Sequence, residues 1–330
     1  MTGFRQRKPT PPSRQRSRQY GTAVGATVGA LALMAVVNHS LARKAERDNP
    51  PLGRFVNVNG TRLHYLDRGQ GHALVLLHGN GSMIQDFLSS GLINMAARRY
   101  RVIAFDRPGY GHSDRSAGRF VSAEAQADLI HAALRRIGID HATVMGHSWG
   151  CSVAVALAQR HPEMVSGLVL ASGYYYPTAR VDAIGLSTPA IPIIGDIIRY
   201  TLAPILGRLI WPMLLRKIFG PAPVPAKFAL FPKEMALRPS QLTASAAEAA
   251  LLIPQAVGGR DGYGRLNLPV VIIAGDDDRL IDPRVHSARL HEDVPGSKFY
   301  RVPGVGHMIH QSATDAVMTA IDDAAGHSVS

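Results

Sequence analysis

The 330-residue chain contains one cysteine, Cys151. A single cysteine cannot form a disulfide within the chain, and it offers no cysteine-based zinc motif. Cys151 lies three residues after Ser148 in an apolar run of helical character, so we expect a small packing residue there rather than a reactive thiol. The low cysteine content excludes a disulfide framework and carries no information about the cellular compartment.

Acidic residues are scarce: 24 Asp and Glu stand against 36 Lys and Arg, which gives a formal net charge of +12. Such a surplus can indicate nucleic-acid binding. However, residues 1–53 contain nine Lys or Arg and two acids, so they account for +7 of the total. The remaining residues show no basic stripe interleaved with aromatic side chains. We therefore expect no nucleic-acid partner.

The sequence also lacks a Walker motif, a dinucleotide-binding fingerprint and a cluster of metal ligands. The segment Gly21–Gly29 is rich in glycine, but it does not follow a predicted strand as a phosphate-binding loop would. We therefore expect no cofactor and no metal. Hydrophobic residues make up 46% of the chain and charged residues 18%. This composition can bury a large core, which excludes a chain that is disordered throughout.

No Asp, Glu, Lys or Arg occurs in residues 20–42. At about 1.5 Å per residue, this segment is long enough to cross a hydrocarbon core of about 30 Å. We predict a disordered basic tail at residues 1–19, a membrane-spanning helix at 20–42 and a linker at 43–53. One alternative is a cleaved signal peptide, because Ser40–Ala42 resembles a small-x-small cleavage site. The other is a soluble amphipathic leader.

The charges around this segment predict its orientation. Six basic residues precede it, whereas the four that follow are diluted by Glu46 and Asp48. Positively charged flanks favour the cytoplasmic side of a membrane. We therefore expect the tail in the cytoplasm and the rest of the protein outside it.

From Arg54 onward the chain alternates between strand-like and helix-like runs. Asn59-Gly60, between the first two runs, is typical of a tight β-hairpin. The predicted strands are Phe55–Val58, Arg62–Leu66, Ala73–Leu77, Val102–Phe105, Ala142–Met145, Leu168–Ala171, Val270–Ala274 and Phe299–Val302. The predicted helices are Ile84–Arg98, Ser122–Ile137, Trp149–Arg160, Pro283–Leu290 and Ala313–Ala324. This alternation predicts an α/β fold with a mostly parallel central sheet flanked by helices on both faces.

Residues 176–262 interrupt the alternation. They are rich in proline and apolar residues, carry scattered Arg and Lys, and show no strand-like pattern. We predict a helical cap inserted into an α/β core, whose two parts then cover residues 54–175 and 263–330. An ordinary water-facing surface would not be this apolar. We therefore expect the cap to form a lid over a site and to face lipid or a lipophilic substrate in part.

The strongest chemical signal lies in residues 142–151. A predicted buried strand leads into Gly146-x-Ser148-x-Gly150, and a helix of small residues follows. A serine on a sharp strand-to-helix turn needs glycine on either side, because a Cβ there would clash with the neighbouring backbone. The turn exposes the hydroxyl and points the N-terminus of the helix at a developing oxyanion. Ser148 is therefore a candidate nucleophile.

A nucleophilic serine needs a general base and a group that orients this base. Carboxylates follow the seventh predicted strand at Asp276, Asp277, Asp278 and Asp282, and His307 follows the eighth. Catalytic groups of open α/β sheets collect at such carboxyl ends of strands. The chain order of serine, acid and histidine is also one in which triads occur. His307 is the candidate base, with the acid among the four carboxylates.

Five motifs in this order resemble those of the α/β-hydrolase superfamily over residues 54–330. They are the oxyanion motif His78–Ser82, the loop Asp106–Asp114, the elbow Gly146–Gly150, the acid motif Gly275–Ile281 and the histidine motif Gly306-His307. The resemblance implies that Ser148 is the nucleophile, His307 the general base and Asp278 the orienting acid. It also implies an oxyanion hole formed by the backbone N–H groups of Asn80 and Trp149.

The same resemblance implies that the neighbouring candidates have structural rather than catalytic roles. Asp276, Asp277 and Asp282 are expected to be solvated loop or helix-cap residues. Three further histidines are expected to be structural rather than to act as the base: His78, His112 and His147.

Members of the superfamily that resemble this chain divide by their nucleophile. Epoxide hydrolases and haloalkane dehalogenases use aspartate, so Ser148 argues against their chemistry. A serine forms an acyl-enzyme from esters, thioesters or amides, and we expect hydrolysis of a carboxylic ester, with a small-molecule or lipid-like ester as substrate. An acyltransferase, a C–C bond hydrolase and a cofactor-free perhydrolase with the same triad are alternatives. A non-catalytic binding protein on the same fold is a more distant one.

Overall fold

The computed structural model describes residues 14–115, 121–179, 187, 191 and 194–327. Residues 1–13 of the predicted tail lie outside this part, as do several positions near the start of the predicted cap. Within the described residues the central feature is an eight-stranded sheet. Its strands are β1 (Arg54–Val58), β2 (Thr61–Arg68), β3 (His72–Leu77), β4 (Tyr100–Phe105), β5 (Ala142–His147), β6 (Val165–Ala171), β7 (Val270–Gly275) and β8 (Lys298–Val302). The order across the sheet is β1-β2-β4-β3-β5-β6-β7-β8.

Most of the sheet is parallel. Strands β3 to β8 run in one direction, and β1 and β2 form an antiparallel edge. The predicted hairpin joins these two, with a φ of 50° at Asn59 and 82° at Gly60, a left-handed conformation that Asn and Gly adopt most readily. Strands β5 and β7 are buried along their whole length, as expected for parallel strands covered on both faces.

Helices surround the sheet. The α-helices are α1 (Arg14–Asp48), α2 (Ile84–Ser90), α3 (Leu92–Ala96), α4 (Ala123–Arg136), α5 (Trp149–Arg160), α6 (Ile194–Tyr200), α7 (Leu202–Phe219), α8 (Lys233–Ala236), α9 (Pro239–Gly259), α10 (Arg289–Asp293), α11 (Ile309–Ser312) and α12 (Thr314–Ala324). Tighter 3₁₀ turns occupy Ala226–Leu230 and Arg260–Arg265, and a single wider turn of π type occupies Arg284–Ala288. One apolar core packs α4 and α5 on one face of the sheet, and a second packs α2, α3 and α12 on the other. The predicted α/β fold is confirmed.

Between β6 and β7 the described residues form helices and turns without a strand. We call residues 194–265 the cap. The cap contacts the core on two sides: Lys227 Nζ donates to Ser90 O at 2.8 Å beside α2, and Gln255 Nε2 donates to Glu124 Oε1 at 2.6 Å beside α4. It therefore spans the carboxyl ends of the central strands. The predicted domain limits, residues 176 and 262, stay predictions.

Helix α1 differs in extent from the predicted span of residues 20–42. It begins at Arg14, within the predicted tail, and continues into the predicted linker as far as Asp48. The extension at its C-terminal end has a local cause, because Ala, Arg, Lys and Glu are strong helix formers. Residues Thr22–Asp48 are long and apolar enough to cross a membrane by length and composition, and they lie near the N-terminus. A membrane anchor and a signal sequence both fit this finding.

Candidate active site

The turn at Ser148 has the geometry that its glycines predict. Strand β5 ends at His147, Ser148 has a φ of 53°, and α5 begins at the next residue. A Cβ on Gly146 would lie 2.4 Å from Gly150 O, and one on Gly150 would lie 2.1 Å from Leu77 O. Both positions therefore require glycine. A positive φ at a serine is an uncommon, strained conformation that tends to mark functional sites.

His307 and Asp278 form a buried pair beyond the ends of β8 and β7. His307 Nδ1 lies 2.7 Å from Asp278 Oδ2, and both side chains are almost fully buried. The other carboxylate oxygen, Asp278 Oδ1, accepts the backbone N–H groups of Leu280 at 2.8 Å and Ile281 at 2.9 Å. These bonds fix the carboxylate, and the carboxylate in turn fixes the imidazole ring.

The other three carboxylates of this loop point elsewhere. Asp276 pairs with Arg301 at 2.8 Å, and Asp277 accepts the backbone N–H of Gly304 at 3.0 Å. Asp282 accepts the backbone N–H of Arg284 at 2.9 Å. Of the four candidates, Asp278 is thus the one that contacts His307.

Backbone contacts bring the His307 loop and the oxyanion motif to the nucleophile. His147, which precedes Ser148, places Nε2 3.0 Å from His307 O. On the other side, a Cβ on Gly79 would lie 3.0 Å from Ser148 Cβ. Three separate chain segments therefore meet at the serine, which is itself only partly buried.

The two residues of the predicted oxyanion hole flank this meeting point. Trp149 is the first residue of α5 and is buried, and the N–H groups of a first helical turn have no acceptor within the helix. Asn80 directs its side chain away toward the cap, where Nδ2 donates to Ser245 O of α9 at 2.9 Å. The role of their backbone N–H groups in binding an oxyanion stays a prediction.

A family model described as alpha/beta hydrolase fold matches residues 72–313. The chain belongs to the α/β-hydrolase family. This confirms the resemblance drawn from the five motifs, and the protein is a hydrolase of that fold.

Relatives of this hydrolase have several activities. Haloalkane dehalogenase 2 of Mycobacterium tuberculosis is 26% identical over 281 residues, which are 81% of this chain and 93% of that protein. The 2-hydroxymuconate semialdehyde hydrolase of Pseudomonas sp. strain CF600 is 34% identical over 144 residues, 42% of this chain and 51% of that protein.

Solved structures extend the likeness. A thermophilic esterase from Thermogutta terrifontis has a TM-score of 0.65 at 20% identity and covers 82% of this chain and 97% of its own. A membrane phospholipase A, described as a bacterial virulence factor, has a TM-score of 0.62 at 22% identity and covers 94% of this chain and 98% of its own. At these identities the likeness shows the fold alone.

Arg107 links the oxyanion motif of this hydrolase to its cap. The guanidinium is fully buried and donates to His78 O at 2.7 Å and to Gly79 O at 3.0 Å. It also forms an ion pair with Glu248 of α9, including a bond of 3.0 Å to Oε2. Sequence reasoning missed Glu248, because no pattern marks a residue 141 positions away. Burial, and then the charge of Arg107, lower the pKa of His78 to about 3, so His78 stays neutral.

A second buried network, also missed from the sequence, lies beneath the elbow. Asp86 Oδ1 is 3.0 Å from His310 Nε2, and the rings of His147 and His310 lie 4.4 Å apart. Burial alone would raise the pKa of Asp86, but the charge of His310 and hydrogen bonds from His310 and Gln311 hold it well below its ordinary value. Burial and the neighbouring His310 and His307 lower the pKa of His147. The lowered pKa makes His147 a weaker base than an ordinary histidine.

Among the residues that the structure describes, two groups of side chains could offer ligands to a metal ion. Asp86, His147 and His310 are buried, whereas His131, His161 and Glu163 lie nearer the surface. In the buried group Asp86 already pairs with His310 and accepts Gln311 Nε2 at 2.8 Å. The carboxylate of Asp86 is thus already in contact with protein side chains within the core.

Cys151 and a nearby cleft are not part of the candidate site. Cys151 is fully buried, and burial raises the pKa of its thiol to about 12. A cleft of about 620 Å³ lies between the end of α1 and the cap, with Glu46, His112 and Thr243 in its lining. This lining does not include Ser148, Asp278 or His307.

Proposed function

We propose that the protein is a serine hydrolase that cleaves a carboxylic ester, preferably one with a lipophilic acyl chain. The observation that carries the proposal is the strained elbow serine, whose neighbour His147 contacts His307 O, together with the buried His307–Asp278 pair at 2.7 Å. A serine alone is a weak nucleophile, and a base oriented by a carboxylate is what activates it.

In this mechanism the hydroxyl of Ser148 attacks the ester carbonyl carbon while His307 Nε2 accepts its proton. Asp278 holds the Nδ1–H of His307 and stabilises the imidazolium that forms. The backbone N–H groups of Asn80 and Trp149 donate to the oxyanion. His307 then returns the proton to the leaving alcohol, and an acyl-enzyme remains. Water, deprotonated by His307, attacks this ester and releases the acid and Ser148.

Ser148 disfavours the chemistry named for haloalkane dehalogenase 2. Displacement of a halide by a serine hydroxyl would leave an ether on the enzyme. An ether has no carbonyl carbon for water to attack, so the enzyme would not turn over. An aspartate would instead give an ester that water can cleave.

Hydrolysis of a C–C bond next to a carbonyl is the second candidate. It is favoured by the 34% identity to 2-hydroxymuconate semialdehyde hydrolase, although the match covers 42% of this chain. The same triad could serve both reactions. Ester cleavage and C–C cleavage are distinguished by comparing kcat/KM for p-nitrophenyl esters with kcat/KM for 2-hydroxymuconate semialdehyde. We expect the value for the esters to be higher.

A fluorophosphonate probe tests the proposed nucleophile. We expect one covalent adduct, mapped to Ser148 by peptide mass spectrometry, and its loss in Ser148→Ala. Ser152→Ala, in the helix α5 that follows Ser148, is the matched control and should label normally. An adduct on a different serine would refute the proposal.

We further propose that α1 anchors the protein in a membrane with the hydrolase domain outside the cytoplasm. A retained helix is favoured over a cleaved signal peptide by Asn38, which is buried against the cap and donates to Thr201 O at 2.8 Å. Cleavage after Ala42 would remove this contact. After alkaline carbonate washing, the full-length protein should stay in the membrane pellet. Its release, or a mature N-terminus near Arg43, would contradict the anchor.

A further inference from the structure

Helix α7 presents an apolar stripe to the outside of the molecule. Leu202, Leu206, Leu209 and Met213 recur at the spacing of one helical face, and their exposed fractions are 43%, 53%, 71% and 66%. Of the residues of α7, only Pro204 and Phe219 are buried. A contiguous apolar stripe of this kind marks a surface that binds another protein or a membrane.

The start of α7 is fastened to α1. Asn38 Nδ2 donates to Tyr200 O at 3.0 Å and to Thr201 O at 2.8 Å, immediately before α7 begins. In return, Arg208 Nη1 of α7 donates to Asn38 Oδ1 at 3.1 Å. The apolar residues of α1 that precede Asn38 are largely exposed. The exposed segment of α1 therefore ends where the exposed stripe of α7 begins.

The other end of α7 lies against the loop that carries His307. Met308 N donates to Ile218 O at 3.2 Å, and a Cβ on Gly306 would lie 2.5 Å from Gly220 O. At about 1.5 Å per residue, the helix spans about 27 Å between these two ends. Helix α7 thus connects the candidate membrane helix to the candidate active site.

We propose that α7 lies in the surface of the bilayer that α1 enters, so that a lipid-borne ester reaches Ser148 along this helix. The proposal rests on the membrane anchor and ester hydrolysis proposed above. Arg208, Arg216 and Lys217 make α7 too polar to span a bilayer, but basic residues on a helix with an apolar stripe suit an interfacial position. Arg216 and Lys217 are exposed at its last turn, where anionic head groups would attract them.

Depth-dependent fluorescence quenching tests the position of α7. Full-length Leu209→Cys, labelled with the fluorophore NBD, is reconstituted into vesicles of phosphatidylcholine and phosphatidylglycerol, with or without brominated phosphatidylcholine. The matched control is Val257→Cys in α9, which is similarly apolar and 59% exposed. The buried native thiol of Cys151 should stay unlabelled.

We expect brominated lipid to quench the label at position 209 and to leave position 257 unaffected. Equal intensities at 209 with and without bromine would overturn the proposal. So would disulfide crosslinking between two copies at position 209, because the stripe would then be covered by a second protein molecule. Quenching needs no catalysis, so it stays informative even if the fluorophosphonate adduct maps away from Ser148.

An activity measurement tests the path of the substrate. In the triple variant Leu206→Gln, Leu209→Gln, Met213→Gln we expect about a tenfold or greater loss of kcat/KM for a vesicle-borne ester, because three exposed apolar side chains that the bilayer would cover are replaced by polar ones. Activity on dissolved p-nitrophenyl butyrate and labelling of Ser148 should be unchanged. An equal loss on both substrates, or no loss on either, would overturn the proposal.

Discussion

Helices α4 and α7 both carry an apolar face, and they differ in what covers that face. Helix α4 turns its apolar residues inward, with Ala127, Ile130 and Leu134 buried against the sheet. Helix α7 contains still more apolar residues, yet Leu209 and Met213 are among the most exposed large apolar side chains of the cap. The apolar face of α4 is stabilised within the molecule, whereas that of α7 lacks such internal cover among the described residues. Changes to the buried face of α4 should therefore lower the stability of the protein. Changes to the exposed face of α7 should affect its function and leave its stability nearly unchanged.

The largest effects are expected in the core, at the elbow. Ser148→Ala and His307→Ala should each lower kcat for ester hydrolysis by about 10⁵- to 10⁶-fold, because nucleophile and base act as a unit. For the same reason the double variant should be scarcely worse than either single one. A cap variant with a comparable loss would break the separation between the two regions.

The next largest loss of kcat is expected at the orienting acid. Asp278→Asn should lower kcat by about 10⁴-fold with the fold intact, since an amide holds the wrong tautomer of His307. Asp276→Asn is the matched control, because its carboxylate pairs with Arg301 instead, and it should retain most of the activity. Severe loss in the control with a mild effect at Asp278 would reverse the assignment.

The ion pair between Arg107 and Glu248 joins the core to the cap, and its contribution to stability can be measured. Glu248→Ala should lower the free energy of unfolding by about 3–5 kcal/mol, because it leaves the Arg107 guanidinium buried without an opposite charge. Glu292→Ala, at an exposed position of α10, should change it by less than about 0.5 kcal/mol. Urea denaturation in detergent measures both. Equal, small values would mean that the ion pair is not essential to the fold.

The two helices can be compared directly by truncation. Ile130→Ala in α4 should cost about 2–5 kcal/mol of unfolding free energy through the cavity it leaves. Leu209→Ala in α7 should cost less than about 0.5 kcal/mol, because its side chain packs little within the molecule. A large cost at Leu209 would show that α7 is a core helix after all.

The smallest effect concerns the acyl chain. Each methylene buried in a lipophilic pocket should contribute about 0.8 kcal/mol, or three- to fourfold in kcat/KM. A p-nitrophenyl ester series from acetate to decanoate should therefore rise to medium chain lengths. A maximum at acetate would refute a lipophilic pocket.

Local patterns predicted much of this molecule. The hairpin at Asn59-Gly60 and the elbow at Ser148 could be predicted because their backbone geometry depends on adjacent residues. All eight predicted strands are present, and those from β3 to β7 could be predicted for a similar reason, since a buried parallel strand needs a continuous apolar run. The spacing of the acid motif favoured Asp278, and geometry pairs that residue with His307.

Other features depend on residues far apart in the chain. The pairing of Arg107 with Glu248, and of Asp86 with His310, arises where separate segments meet, and neither partner carries a local signal. The end of α1 at Asp48 was also not predicted, because the apolar pattern stops at Ala42 while helix propensity does not. Tertiary structure decides the two pairings, whereas the end of α1 follows local helix propensity.

The ion pair between Arg107 and Glu248 also limits how the active site can be gated. If the cap lifted as one body, α9 would withdraw Glu248 and leave a charged guanidinium inside the core. Losing one partner of a buried pair costs about 3–5 kcal/mol, so such an open state would hold roughly one molecule in several hundred or fewer. Arg208 of α7 pairs instead with Glu234 of α8, at 2.7 Å, and this pair stays intact if α7 and α8 move together. A movement of α6, α7 and α8 together, with α9 stationary, is the less costly way to open the active site.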